Sequence, residues 1–465
     1  MGAGTAQRGA CLLISGKVRK NMEFVVFAGV LLLLFIFMIV QELIQTKNQE
    51  KLFKKYLREN YGKEPPKEYS LERFARLGSY LERHKEEKQL DDITWNDLGM
   101  DEVFRRIDRT YSAAGEEYLY YTLRNISCGR EALEHLEEVV NWLQEQENIK
   151  VRIQLLMKRL GHLGKYSLYD YLDNLDYLGE RSNRKIVLGN LLYLPFLLLL
   201  FVQPAMGTIG IVLCMLWHIM TYFREKKVIE PYIISFAYVL RLIDVCEELE
   251  KQKIPVYRRE LDELREVLKS LRELRRGAYW VMAGNQGKIG GNPLDILADY
   301  LRMILHLDIF QFNRMLEKLR KKTGQVETML AITGYLDMAI SVGGFRKSLE
   351  GYCIPKLEED TEKAFLHMKK GWHPLLSQPV KNSIRADRGI LLTGSNASGK
   401  STFLKMVAVN AVLAQTIHTC AAESYHAPIF QIFSSMALRD SMENGESYYI
   451  CLLYTSDAAD DLIGV

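Results

Sequence analysis

The chain has 465 residues, of which 48% are hydrophobic and 26% are charged, and its formal net charge is +3. This length accommodates about three domains with cores of their own, and the composition excludes disorder over most of the chain. The nearly neutral charge excludes a strongly basic protein, so any nucleic-acid surface has to come from local clusters of Lys and Arg.

The seven cysteines are widely spaced, and the sequence contains no CxxC pair and no matching cluster of histidines. This pattern argues against a zinc site and against a disulfide framework. We therefore expect reduced thiols and soluble parts that face a reducing cytoplasm.

The first predicted element is a transmembrane helix at residues 24–41, after an N-terminal segment at 1–23. Phe24 to Val40 contains no charged residue. At 1.5 Å per residue it spans roughly 26 Å, close to the thickness of a bilayer core. A cleaved signal peptide is the rival interpretation, but this run is long for one and no small-residue cleavage site follows it. Because basic residues lie on both sides of the run, we hypothesise that translation starts at Met22.

Two further apolar runs predict a transmembrane hairpin at residues 186–223. They are Ile186 to Val202 and Ala205 to Phe223, with a tight turn at Gln203-Pro204. Both runs are apolar around the whole helix, which is rare for the alternative, a helix pair in a soluble core. His218 is expected at the lipid interface or in a helix contact rather than in a proton relay, since no acidic residue of the hairpin is near it. Basic residues place both ends in the cytoplasm: Arg181, Arg184, Lys185, Arg224, Lys226 and Lys227.

Helical patterns on both sides of the hairpin predict an all-α core or lever domain in two parts, residues 42–185 and 224–360. In the first part, apolar residues recur at helical spacing from Leu71 to Leu81. Three long helices are predicted in the second part, at Ile229–Leu249, Leu261–Leu274 and Leu294–Lys322.

The most specific motif lies in the next predicted domain, residues 361–449. An apolar run, Ile390 to Thr393, is followed by GxxxxGK[ST] and then by a helical segment, Phe403 to Gln415. A strand followed by a Gly-rich loop and a helix predicts an α/β P-loop NTPase domain that binds ATP. The predicted nucleotide ligands are Gly394, Ser395, Asn396, Ala397, Ser398, Gly399, Lys400, Ser401 and Thr402.

The loop residues have separate predicted roles. Gly394 and Gly399 permit positive φ angles and a close approach of backbone amides to the β-phosphate. The N-terminus of the following helix adds a positive end. Lys400 is expected to reach the β and γ oxygens, and Ser401 to hold the Mg²⁺ that bridges the phosphates. A chance Gly-rich turn is the alternative, which the preceding apolar run disfavours.

With these motifs the chain resembles the MutS family of DNA mismatch-recognition ATPases. The loop is similar to that family's TGPNMGGKST. Lys370 to Leu375 is similar to the GRHP element that opens the family's ATPase domain. Tyr335 to Ala339, together with Tyr352 to Pro355, is similar to the end of the lever helices. Thr110 to Leu119 is similar to the start of the core domain. The resemblance extends from about residue 90 to 449 and implies a DNA-binding ATPase built on lever helices.

The same resemblance implies a homodimer joined through its ATPase domains. Gly445 to Tyr449 is similar to the family's signature segment, in which a serine approaches the nucleotide held by a partner subunit. Ser447 would then act in trans, and the alternative is an ordinary surface loop. His373-Pro374 is interpreted as a structural turn rather than as a nucleotide contact.

Two parts of the family pattern have no counterpart in the sequence. The predicted transmembrane helix occupies the place of the N-terminal mismatch-reading domain. The Walker B Asp-Glu pair is also absent, since no Glu follows Asp457 in the tail at residues 450–465, which resembles nothing in the family. We therefore expect an incomplete ATPase domain, with a set of catalytic residues that is not complete enough for hydrolysis.

Two basic clusters are candidates for contact with DNA phosphates. Acidic residues interleave with the first cluster, which is more typical of an ion-paired, solvated helix face. The clusters are Arg258, Arg259, Arg265, Lys269, Arg272, Arg275 and Arg276, and Arg314, Lys318, Arg320, Lys321 and Lys322.

The sequence predicts a multi-pass membrane protein with a cytoplasmic ATPase domain. One function is that of a membrane-anchored MutS-like ATP-binding protein that binds DNA, linked to the recognition of mismatches or DNA structures. The alternative is a membrane-bound P-loop ATPase that couples its nucleotide state to a protein or lipid partner without DNA.

Overall fold

The computed structural model describes residues 37, 40–41, 44–64, 69, 71–85, 88–126, 129–163, 167–272, 300–359, 363–395 and 399–436. They belong to two compact units, residues 1–61 and 62–465. In the first unit, residues 44–60 form a mostly exposed helix. The predicted transmembrane helix at 24–41 lies almost wholly outside the described residues, and the tail at 450–465 lies outside them completely.

The second unit is mainly helical, as predicted for the core. Its helices are α1 (Leu71–Arg83), α2 (Asp92–Leu98), α3 (Met100–Ile107), α4 (Ala113–Arg124), α5 (Gly129–Glu145), α6 (Glu147–Leu160), α7 (Leu168–Asp173), α8 (Arg184–Leu191), α9 (Tyr193–Val202), α10 (Pro204–Glu250), α11 (Arg258–Leu271), α12 (Leu307–Leu319), α13 (Thr323–Ser348) and α14 (Lys400–Ile417). Residues 300–305 are also helical, and Asn174–Leu178 and Pro255–Tyr257 form 3-10 helices.

The core is centred on α13, which packs against α4 at two glycines. A Cβ atom at Gly334 would lie 2.6 Å from the carbonyl oxygen of Ala114, and one at Gly115 would lie 2.4 Å from Oδ2 of Asp337. Only glycine permits so close an approach of the two helices. The contact therefore joins the two segments, Thr110 to Leu119 and Tyr335 to Ala339, that were singled out separately in the sequence.

The carboxylate of Asp337 caps α4 from the neighbouring helix. It accepts hydrogen bonds from the backbone N–H groups of Tyr111, at 3.0 Å, and Ser112, at 2.9 Å, and from Oγ of Ser112 at 2.6 Å. Ser112 is the N-cap residue of α4, and its Oγ accepts a hydrogen bond from the N–H of Gly115. The contact with Asp337 thus adds to the local cap by Ser112. Together they bond backbone N–H groups at the start of α4 that have no partner within the helix.

The predicted hairpin consists of α8, α9 and the first half of α10. Its turn lies where it was expected, since α9 ends at Val202 and α10 begins at Pro204. A Cβ at Gly210 would lie 2.0 Å from the ring of Phe196, so a small residue is needed where the two helices meet.

The predicted end of the hairpin at Phe223 is not the end of a helix. The helix α10 continues without a break for 47 residues, about 70 Å, and includes the helix predicted at Ile229–Leu249. Residues 224–230 contain charged side chains but no Gly or Pro. The side chains therefore change from apolar to charged after Phe223, while the helical backbone continues.

Three stretches of the described chain are long and apolar enough to cross a membrane: Arg184–Val202, Pro204–Glu230 and Thr323–Ser348. In the first two, only 6% and 28% of the most apolar window is buried within the protein, whereas the value for the third is 83%. The hairpin therefore has apolar faces that the described residues do not cover.

The helix predicted at Leu294–Lys322 is interrupted at His306. This residue has a φ of 54°, in the left-handed region, and α12 begins after it. The interruption brings the His306 ring against α10, with its centroid 5.6 Å from that of Tyr222 and 5.1 Å from that of His218. Residues 294–299 lie outside the described part.

A small mixed sheet follows α13. Its strands are β1 (Lys356–Glu358), β2 (Leu366–Gly371), β3 (Asn382–Ala386) and β4 (Ser424–Pro428), in the order β1-β4-β2-β3. Leu357 pairs with Ala427 in a parallel ladder, whereas His367 pairs with His426 and Arg385 in antiparallel ladders.

The strand predicted at Ile390 to Thr393 is not formed. These residues have no regular structure, and the Leu391 side chain is 89% exposed. A strand before a P-loop is normally buried between neighbouring strands. No described strand pairs with residues 390–393, so nothing holds the apolar run extended.

Candidate nucleotide-binding site

The predicted phosphate-binding loop leads directly into the N-terminus of α14. Gly399 is the N-cap residue, and its φ of 84° is a left-handed conformation that glycine adopts without strain. The helix begins at Lys400, so its positive end faces the loop. Ser401 and Thr402 are exposed in the first turn, and Asn396, Ala397 and Ser398 lie outside the described residues.

The side chain of Lys400 bends back over the loop. Its Nζ donates hydrogen bonds to the carbonyl oxygens of Gly394, at 2.6 Å, and Ser395, at 2.5 Å. The ammonium group therefore lies beside the loop and the helix N-terminus together. An ammonium group at this position can exchange the two carbonyl oxygens for anionic oxygens of a ligand.

The segment Lys370 to Leu375 is bonded to α14 through Asn410. The Nδ2 atom of Asn410 donates to the carbonyl of Trp372 at 3.0 Å, and its Oδ1 accepts from the N–H of Ala421 at 2.7 Å. Trp372 in turn donates its N–H to the carbonyl of Ala421 at 2.9 Å. The side chain of Asn410 thus holds the segment before the loop and the segment after α14 together.

His373 has the geometry of a structural turn. It is buried, and its Nδ1 lies 3.4 Å from the N–H of Leu375, which donates to it. Burial, together with the charge of Lys405, lowers the pKa of His373. A neutral imidazole with this local hydrogen bond supports the turn interpretation.

The far end of α14 is joined to α13 by Arg346. The buried guanidinium donates to Oγ1 of Thr419 at 2.8 Å, to the carbonyl of His418 at 3.0 Å and to Oε2 of Glu137 in α5 at 2.7 Å. Although burial by itself raises the pKa of Glu137, hydrogen bonds from His418 and Arg346 lower it to about 2. Glu137 is therefore ionised, and an ion pair connects three helices.

Neither Arg346 nor Asn410 was identified as functional from the sequence. Asn410 is a polar residue in an otherwise apolar helical run, Arg346 lies in the last turn of α13, and both are buried. Buried polar groups are nearly always hydrogen-bonded. A polar residue that the helical pattern places in the core is therefore the signal that could have identified them.

The trans residue Ser447 lies outside the described residues, as do the residues around Asp457. Within the described part of the chain, no group of three His, Cys, Asp or Glu residues is arranged to hold a metal ion. The role of Ser401 in holding Mg²⁺ with the nucleotide stays a prediction.

Part of the first basic cluster is ion-paired. Arg265 bonds Glu250 at 2.7 Å and Asp262 at 2.9 Å, and Lys269 bonds Glu266 at 2.6 Å. In the second cluster, Arg320 donates to the carbonyls of Leu175 and Gly179. These contacts favour a solvated, ion-paired face over a surface of free cations.

Residues 390–457 match the family MutS domain V. The match begins at the apolar run before the loop and extends beyond residue 449, where the sequence resemblance was expected to end.

Several curated proteins described as "DNA mismatch repair protein MutS" are similar to part of the chain. That of Acholeplasma laidlawii is 31% identical over 145 residues, which is 30% of this chain and 17% of the relative. That of Leptospira interrogans is 30% identical over 159 residues, 32% of this chain and 18% of the relative. That of Thermotoga maritima is 30% identical over 120 residues, 24% of this chain and 15% of the relative. The chain thus spans less than a fifth of the length of these relatives. By partial homology, the domain V match and these relatives support the MutS-like DNA mismatch repair family.

Proposed function

We propose that this chain is a membrane-anchored MutS-like protein that binds ATP and Mg²⁺ at residues 394–402. The observation that carries the proposal is the position of Lys400, whose ammonium bridges the two loop carbonyls beside the N-terminus of α14. The domain V match covers the same residues. Ser401, exposed in the first turn of α14, is the proposed Mg²⁺ ligand.

Nucleotide binding is tested by calorimetry on the full chain in detergent. Lys400→Ala removes a charge-assisted contact to phosphate, which predicts a loss of affinity of about tenfold or more. Lys405→Ala, one turn further along α14, removes the same charge as a matched control and should bind as the original chain does. Equal affinity of all three proteins for ATP would reject the proposal.

The role of Ser401 is tested separately by the dependence on metal. In Ser401→Ala, the affinity for ATP should fall when Mg²⁺ is present and should be unchanged in excess EDTA. A Mg²⁺ effect of the same size with and without the hydroxyl would remove Ser401 from the site.

We further propose that nucleotide binding changes the packing of the hairpin. The support is a continuous set of contacts: α14 is bonded through Arg346 to α13, α13 packs on α10, and α10 extends into the hairpin. Hydrogen exchange of α10 should therefore differ with and without saturating ATP. Arg346→Gln should reduce that difference while leaving ATP affinity within about threefold, and an α10 that does not respond to ATP would contradict the coupling.

DNA is the first proposed partner, because the similar relatives are described as mismatch repair proteins. Filter binding to duplex, mismatched and branched DNA at two salt concentrations tests it. An affinity no greater than that of an unrelated protein of similar charge would remove DNA as a partner. The homodimer and the trans role of Ser447 stay predictions.

A second candidate is an ATPase that acts on a protein or lipid partner without DNA. The ion pairs of Arg265 and Lys269 favour it, because a paired cation releases less free energy on binding a phosphate backbone. The uncovered apolar faces of the hairpin also favour it.

A further inference from the structure

A cavity of about 500 Å³ opens at the foot of the hairpin, where α8, α10 and α12 meet. Its floor contains two histidines, and its mouth contains the basic residues that flank the apolar runs. The lining residues that matter here are Arg181, Lys185, His218, Thr221, Arg224 and His306.

The floor presents polar atoms that have no partner among the described residues. His218 is only 1% exposed, and neither of its ring nitrogens has a hydrogen-bond partner in that part of the chain. His306 is 6% exposed, and its Nε2 lies 3.3 Å from Oγ1 of Thr221. Leaving a buried polar group unpaired is costly, so the His218 ring points to a polar ligand.

The two rings can donate hydrogen bonds even without a positive charge. Burial, and then the neighbouring His218, lower the pKa of His306 to about 4, so its imidazole is neutral near pH 7. A neutral imidazole still has one N–H donor, and a rotation of the ring or a change of tautomer can direct it at an anionic oxygen.

The mouth of the cavity contains more positive than negative charge. Lys185 and Arg224 form no ion pair within the described part of the chain, whereas Arg181 lies 3.4 Å from Glu225. Glu180 is the other carboxylate of the lining. The two unpaired cations can therefore approach a bound anion without first breaking a protein contact.

The cavity lies at the level where the hairpin changes from apolar to basic. Lys185 immediately precedes the first apolar run, and Arg224 immediately follows the second. Trp217, which is 51% exposed, lines the cavity from within the apolar run. Tryptophan is enriched at the boundary between a bilayer and water, and basic pockets between membrane helices at this depth suit lipid headgroups.

We propose that this cavity binds the phosphate headgroup of an anionic phospholipid. Lys185 and Arg224 pair with the phosphate oxygens, His218 and His306 donate hydrogen bonds from below, and the acyl chains lie along the uncovered apolar faces of the hairpin. Gly189 lets α8 pack closely on this side of the cavity, since a Cβ there would lie 3.3 Å from both the His218 and the Trp217 rings. The assignment depends on the membrane anchoring proposed above.

The test measures lipid retained by the full chain, by native mass spectrometry in a mild detergent containing equal amounts of phosphatidic acid and phosphatidylcholine. Selective retention of phosphatidic acid is expected. Lys185→Gln with Arg224→Gln should reduce that selectivity about tenfold or more, because two charge-assisted contacts are lost. Both side chains are exposed, so folding should be preserved.

The matched control is Arg184→Gln with Lys227→Gln, which makes the same change of charge at the same ends of the hairpin but outside the cavity lining. It should retain the lipid within about threefold of the original chain. Equal losses in the two double variants would show attraction to the surface as a whole and would overturn the proposal.

Inorganic phosphate at millimolar concentration distinguishes a free anion from a lipid. It should not displace phosphatidic acid, because it lacks the contacts of the acyl chains; displacement would overturn the lipid assignment. Extraction of membranes at alkaline pH tests the anchoring separately. A chain that resists extraction but shows no preference between the two lipids would refute this inference alone, and one that is extracted would refute the anchoring.

Discussion

The helix α13 and the hairpin are both apolar enough to cross a membrane, and they differ in what covers them. Their most apolar windows have mean hydropathies of 1.3 for α13 and 2.1 and 1.6 for the two arms of the hairpin. Yet 83% of the α13 window is buried in the protein, against 6% and 28% for the arms. The hydropathy of a helix therefore indicates how much of its surface favours an apolar environment. The tertiary structure shows how much of that surface the protein itself buries.

Polar residues distinguish the two regions further. In α13, Ser341 donates to the carbonyl of Ile107 at 2.8 Å, and Asp337 and Arg346 bond other helices. A buried helix accommodates such groups because neighbouring chain segments provide fixed partners for them. In the hairpin, the ring nitrogens of His218, which bond no described residue, lie at the cavity instead.

The largest expected effect comes from shortening one leucine in each region. Leu336 of α13 is fully buried, so Leu336→Ala should destabilise the fold by about 2–5 kcal/mol. Leu198 of α9 is 68% exposed, and Leu198→Ala should change stability by less than about 0.5 kcal/mol. Denaturant unfolding of both variants in detergent measures the contrast. Equal destabilisation would mean that the hairpin is covered by protein as α13 is.

The burial that covers α13 also acts on a carboxyl group of α4. Burial raises the pKa of Glu117 to about 8, although a hydrogen bond from Ser167 opposes the shift. The folded protein thus holds a proton that the unfolded chain releases above about pH 4.5, so the free energy of unfolding falls as the pH rises from 5 to 8. The fall should be on the order of 3 kcal/mol.

Glu117→Gln should remove most of this pH dependence, because glutamine does not titrate. Thermal unfolding of both proteins at pH 5, 6, 7 and 8 measures the two slopes. Parallel slopes would show that another group is responsible.

A charge placed in the hairpin tests whether its exposed apolar face is inserted in a membrane. Leu198→Arg should disfavour membrane insertion by about 3 kcal/mol, because a charge at the centre of an apolar helix is costly in lipid. The fraction of protein that resists alkaline extraction is the measurement, and Tyr177→Arg, at an exposed position that precedes the apolar runs, is the control. Unchanged resistance for Leu198→Arg would contradict insertion of this hairpin.

The smallest expected effect concerns the cap that joins α13 to α4. Asp337→Asn keeps the size of the side chain but removes the charge that accepts from Tyr111 and Ser112, for an expected loss of about 1–3 kcal/mol. Thermal unfolding measures it, with the exposed Asp176→Asn as the matched control. A loss no larger than that of the control would show that the cap contributes little.

Much of the helical architecture was predictable from the sequence, because the spacing of apolar residues reports directly on helices. The turn at Gln203-Pro204 is an example, since proline is favoured at the first position of a helix. The strand at Ile390 to Thr393 was predicted incorrectly. An apolar run becomes a strand only when neighbouring strands pair with it, and local residues carry no information on such neighbours.

The candidate site was predictable to the same degree. Gly399 and Lys400 were identified because a phosphate cradle needs a left-handed residue and a cation at a set spacing, and the structure places both at the start of α14. Arg346 and the contact of His218 with His306 were not. Their roles depend on contacts between residues that are far apart in the chain.

By itself, the sequence indicated most of the helices, where a glycine-rich loop meets a helix, and which stretches are apolar enough for a membrane. These properties follow from the order of side chains over a few turns. Only the tertiary structure decided that the described residues cover most of α13 and little of the hairpin, that Asp337 caps another helix, and that a basic cavity forms at the foot of the hairpin. Burial and hydrogen bonding are properties of distant segments brought together, and chain order does not specify them.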